Sequence, residues 1–91
     1  MNCKICKLET ENLTQNMCDE CSLIYDTIIA SRKLKESTQM LKQFLKRANI
    51  EMPEDNLYLL GFSNAPSKDL KERYITAILK KNSIDLKEEF L

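Results

Sequence analysis

The chain has 91 residues, 43% of them hydrophobic, and 14 basic against 14 acidic side chains for a net charge of zero. That length holds one small domain whose core is marginal without a metal, a disulfide or a partner, and no run reaches the roughly 20 apolar residues of a membrane span. The zero net charge does not advertise nucleic-acid binding, and the absence of histidine removes the commonest general base and every Ser/His or Cys/His nucleophile pairing.

The N-terminus, Met1 to Cys6, has no basic region followed by an apolar run, so no export signal is read there and a reducing cytoplasm is the expected setting. In that compartment paired cysteines are metal ligands more often than disulfides. Residues 1–22 hold all four cysteines as C-x2-C, eleven residues, C-x2-C. Two residues between cysteines let one tight turn aim both sulfurs at a single point, and a second such pair completes a tetrahedral shell of soft donors. Cys3, Cys6, Cys18 and Cys21 are therefore the expected ligands of one Zn(2+) per chain. Four thiolates leave no open position, so the ion is expected to be structural. Redox chemistry and an iron–sulfur cluster are the alternatives, but the first wants a βαβ setting that the pattern lacks, and zinc is commoner at paired knuckles. Between the pairs, partial alternation predicts a short irregular hairpin turning at Glu11-Asn12.

From Asp19 to Asn49 the pattern is helical. Ile24, Ile28, Leu34, Leu41, Leu45 and Ala48 recur at spacings of three, four and seven, with one step of six from Ile28 to Leu34, and no Gly or Pro intervenes. Two versions fit: one helix of about 45 Å at 1.5 Å per residue, or two helices with a break near Glu36–Thr38, where Ser37 and Thr38 would cap the second. Cys21 is placed in the first turn, where the positive helix end favours a thiolate. Pro53 reads as the first residue of a short helix, with Glu54 and Asp55 at its positive end. Gly61 reads as its left-handed terminator, with Phe62 packing back on Leu57. Ser67 is the expected N-cap of the next helix, which Asn82-Ser83 interrupts before a last short helix over residues 84–91. The fold class is small and mainly α. A metal-stabilised knuckle and hairpin, treble-clef-like or ribbon-like, occupies 1–22, and a helical region over 23–91 forms one compact unit with it.

Residues 32–47 carry six bases against Glu36 alone, a local charge of +5. Arg32, Lys35, Lys42, Lys46 and Arg47 could form a phosphate-contacting face, which is the DNA-binding alternative. The one aromatic residue in the stretch, Phe44, belongs to the apolar stripe, so none is interleaved with the charges to stack on bases, and a solvated helix face is the plainer reading. Residues 84–91 are too acidic for a recognition helix. The apolar stripe reads mainly as core. If Leu41 and Leu45 stay partly open, they would face a partner protein or a second copy of the chain.

The segment Cys3-Lys4-Ile5-Cys6 … Met17-Cys18-Asp19-Glu20-Cys21, running into a helix, resembles the small bacterial zinc proteins of the Gin type, over about the first 30 residues. The hairpin here is shorter than in that family. The resemblance implies one zinc ion, dimer formation and anti-sigma activity. With the bias of Lys and Asn over Arg and Gly, common in AT-rich bacterial and phage genomes, the expected function is a non-enzymatic zinc-binding regulator. It would act through a protein partner, with no membrane association.

Overall fold

The computed structural model describes residues 1–53, 56–65 and 67–86, residue 34 by its backbone alone. Its four helices are α1 (Asp19–Ala30), α2 (Leu34–Arg47), α3 (Leu57–Ser63) and α4 (Lys68–Lys81). Each packs on the next, and α4 closes back on α1. No strand forms among the described residues; the N-terminal segment is built from tight turns with two isolated bridges, Asn2 to Glu9 and Thr14 to Met17. No described helix is long and apolar enough to cross a membrane.

The expected 45 Å helix does not exist, and the break falls earlier than Glu36–Thr38. Ser31 and Lys33 are extended, and the Ser31 hydroxyl accepts from the Lys33 N–H at 3.3 Å, a local bond that competes with helix continuation. Ser37 is not the cap of α2. It lies fully buried inside that helix, and its hydroxyl donates to the Ile28 carbonyl at 3.0 Å. An orphan carbonyl at the end of α1 is thereby satisfied. Thr38, the other polar residue of the seam, shares a 3.0 Å hydrogen bond with Ser63 and ties α2 to α3.

The core comprises Ile28, Leu41, Phe44, Leu45, Leu59, Phe62, Ile75, Ile78 and Leu79, all at most 2% exposed. Tyr25 tilts against Phe44 with ring centroids 6.0 Å apart. Leu41 and Leu45 are thus covered within one chain. The apolar stripe at these positions is core and leaves no open seam there for a second copy.

Helix α3 starts differently from the sequence reading. Its cap is Asn56, whose side-chain oxygen accepts from the N–H groups of Tyr58 and Leu59, so Pro53 lies upstream of the helix. The expectation for Glu54 and Asp55 falls outside the described residues. Gly61 is not a left-handed terminator either. It lies within α3 and has no positive φ. A Cβ there would sit 2.5 Å from the far end of the half-buried Tyr74 ring, so glycine lets that ring lie directly against α3. Phe62 is buried, whereas Leu57 is 82% exposed, so the two do not form the expected terminating pair.

The left-handed terminators stand at Asn49 and Ser83, with φ of 60° and 63°. After α2, the Ile50 N–H reaches back to the Leu45 carbonyl and that of Asn49 to Lys46. After α4, the Ile84 N–H reaches Leu79 and that of Ser83 reaches Lys80. Both are Schellman turns, and in each the flanking apolar pair is buried. Ser67 caps α4 as expected, accepting from the Leu70 N–H at 3.3 Å. Residues 84–86 are not helical, and the rest of the expected last helix lies outside the described residues.

Candidate metal centre

Two turns build the site. In the first, the chain doubles back at Lys7 (φ 66°), so that the Lys7 N–H reaches the Cys3 carbonyl and the Cys3 N–H reaches Leu8. In the second, Gln15 and Asn16 both take positive φ, and Thr14 and Met17 exchange both backbone hydrogen bonds. This is the two-residue hairpin geometry in which Asn is favoured. The expected turn at Glu11-Asn12 is therefore replaced by a tighter one immediately before Cys18. The two turns are joined by the Lys4 N–H donating to the Asn16 carbonyl at 2.9 Å.

Cys18 is the N-cap residue of α1 and Cys21 falls in its first turn. All four sulfurs lie within 4.8 Å of one another. Cys3, Cys18 and Cys21 are buried, Cys6 is half-buried, and none is in a disulfide. Cys6 and Cys18 approach to 3.7 Å, far beyond a bonded S–S distance of about 2.05 Å. This cluster of four soft donors could hold a metal ion.

The cluster is anchored from beneath and from the side. Ile5 and Met17 are fully buried in the same core as the helices. The Lys4 ammonium donates to the Asp85 carbonyl, and the Asn16 amide to that of Leu86. The segment following α4 thereby clamps both turns.

Electrostatics differ between the thiols. Burial raises the Cys3 thiol, but the backbone N–H groups of Cys18, Cys6 and Ile5 outweigh it and bring it down to about 6. Burial pushes Cys21 up to about 12; Arg47 opposes this, while the neighbouring sulfurs of Cys18, Cys6 and Cys3 add to it. Of these two, Cys3 ionises the more readily and Cys21 is the one that needs a positive partner.

Arg47 supplies that partner. Its Nε donates to Cys21 Sγ at 3.3 Å, and its two terminal nitrogens reach the Glu20 carboxylate, each at 3.3 Å. The bond to Cys21 is the leading cause that raises the Arg47 guanidinium above its usual value. Arg47 was grouped by sequence with the basic stretch, yet it faces the sulfur cluster. The only signal that could have separated it is its place in the last turn of a helix.

Arg32 and Lys33 lie in the α1–α2 connection, and Lys33 faces Glu36 at 3.7 Å. Lys35, Lys42 and Lys46 lie along α2, with Lys42 half-buried. Leu41 and Leu45 point into the core. No family model, curated protein or solved structure matches this chain.

Proposed function

We propose that Cys3, Cys6, Cys18 and Cys21 hold one structural Zn(2+) ion, and that the protein is a non-enzymatic regulator acting on another protein. The observation that carries the metal reading is the convergence of the four sulfurs within 4.8 Å. A tetrahedron with sulfur about 2.3 Å from its centre has edges of about 3.8 Å, and Cys6 and Cys18 stand 3.7 Å apart. Four thiolates complete the zinc shell, so this reading leaves the ion no position for water or substrate. Turn, turn and helix in this order fit a treble-clef-like knuckle. The ion would staple a segment whose own core amounts to Ile5 and Met17.

The regulatory reading rests on the Gin-type resemblance of the first 30 residues and on apolar side chains facing outward. Leu57 and Leu60 are three apart on α3 and 82% and 46% exposed, an apolar pair on one helix face. A bacterial or phage protein of the cytoplasm with anti-sigma-like action is the form this reading takes. Self-association is not assigned to the α2 stripe, since that stripe is buried. The DNA-binding alternative is weakened because Arg47 and Lys33 are engaged by Cys21, Glu20 and Glu36.

Capture from a bacterial lysate on the immobilised metal-loaded protein, with and without nuclease, tests the reading. A nuclease-resistant RNA polymerase subunit or sigma factor, lost with Leu57→Glu, is the expected result. Retention of nucleic acid alone would refute it. Metal analysis of the same preparation should give about one zinc per chain.

A further inference from the structure

Away from the sulfur cluster, the α1–α2 connection and the α3–α4 connection enclose a cleft of about 590 Å³. Arg32, Lys68 and Lys71 line it, together with Ser31, Asn64 and Ser67, and no carboxylate does so among the described residues. In a chain of zero net charge, three cations around one cleft without an acid is a local imbalance.

Lys71 makes the imbalance costly. It is only 5% exposed, and lysine is almost never buried to that degree unless paired. Its ammonium carries three N–H donors, of which one goes to the Ser31 carbonyl. Lys33 pairs with Glu36 and Arg47 with Glu20, and no carboxylate among the described residues lines the cleft beside Lys71, Lys68 and Arg32. A buried ammonium facing a backbone carbonyl is held by a dipole where a full counter-charge would serve better.

The other groups favour a tetrahedral anion. Arg32 offers a planar fork and Lys68 a point charge, the two complementary ways of holding phosphate oxygens. Ser67 also lines the cleft, whereas the Ser31 hydroxyl is bonded to the Lys33 backbone. The cleft also opens at the start of α4, a helix of 14 residues, whose first-turn N–H groups attract negative charge. Ser67 satisfies those of Leu70 and Lys71, leaving those of Lys68 and Asp69 at the first turn.

We propose that this cleft is a binding site for a phosphate group, with Lys71 as its buried counter-charge and Arg32 and Lys68 closing over it. The site is separate from the sulfur cluster and does not depend on the metal reading. Its volume exceeds that of one phosphate, so a phosphate ester fits as well as the free ion.

The test is the thermal unfolding midpoint of the purified protein against inorganic phosphate, with chloride replacing it at equal ionic strength. A nucleoside 5′-monophosphate forms a second arm. The midpoint should rise with the logarithm of phosphate concentration and not with chloride, as expected for a ligand of the folded state, with an apparent Kd below about 1 mM. Equal response to both probes assigns the free ion, and a stronger response to the monophosphate assigns an ester. Lys71→Met keeps the apolar stem and removes a buried charge, so it should fold and lose the response. Arg32→Gln and Lys68→Gln, both at exposed positions, should each weaken it about tenfold, the effect of one lost charge-assisted hydrogen bond. Lys80→Gln on the far turn of α4 is the control and should not. An equal rise in chloride, or an undiminished response in the Arg32→Gln/Lys68→Gln pair, would overturn the site whether or not Lys71→Met folds.

Discussion

Replacing Arg47 with Gln isolates one long-range contact of the sulfur cluster. The substitution keeps most of the stem and removes the guanidinium that donates to Cys21 at 3.3 Å and to Glu20. A hydrogen bond to a charged acceptor contributes about 1.5–3 kcal/mol. The low end applies here, because the Arg47 side chain is 29% exposed and water softens the contact. The Glu20 arm adds little: that side chain is 69% exposed, and such pairs contribute about 0.5 kcal/mol or less. The expected loss is about 1.5 kcal/mol, or about tenfold in zinc affinity, within the range for a residue that orients a metal ligand. Competition against a chromophoric chelator reads the affinity. The charge-transfer bands of the cobalt-substituted protein should shift as well, since the electron density on Cys21 changes. Glu20→Gln should leave both nearly unmoved. Unchanged affinity in Arg47→Gln, or an equal loss in Glu20→Gln, would refute the assignment of Arg47 to the sulfur.

Gly61→Ala should lower stability by up to about 2 kcal/mol in urea unfolding, the overpacking against the Tyr74 ring at 2.5 Å being offset by about 1 kcal/mol of helix propensity within α3. Zinc affinity should stay unchanged. Phe44→Ala, at a fully buried position beside Tyr25, should cost about 3–5 kcal/mol; a monomer that keeps its unfolding midpoint would show that the α2 stripe is not core. Burial, then the charges of Glu72 and Asp26, raises the Tyr25 hydroxyl from 10 to about 12. The folded state therefore holds that proton more tightly than the unfolded state. Its contribution is whole below pH 10 and is lost as pH rises towards about 12. Tyr25→Phe should flatten this alkaline loss in stability-versus-pH curves, and an identical slope would count against it.

Local chemistry was legible in the sequence. Each C-x2-C pair can aim at one point because the turn that joins it spans so few residues, whereas the two pairs are brought together by the Lys4 N–H on the Asn16 carbonyl. Cys21 in the first helical turn and Ser67 as a cap were readable for the same reason. Each depends on neighbours within about four positions. The Asn49-Ile50 and Ser83-Ile84 terminators carried a usable signal too, a polar residue tolerant of positive φ followed by an apolar one.

What the tertiary structure decided lies at longer range. Gly61 makes room for the Tyr74 ring of another helix, and no local pattern distinguishes that glycine from a terminator. Ser37 looked like a cap because its nearest partners in sequence are the N–H groups ahead of it. Its real acceptor, the Ile28 carbonyl, is brought to it by the fold at Ser31–Lys33. The same corner sends Arg47 back across 26 residues to Cys21 and leaves Arg32 beside Lys71. A run of bases that reads as one charged face was thereby divided among a sulfur cluster, a solvent-facing helix side and a cleft. Spacing fixes which atoms can meet within a turn. Which helix a cation finally faces depends on the angle at which two helices cross, and that angle is set by burial of Ile28, Leu41, Phe44 and Leu45 together.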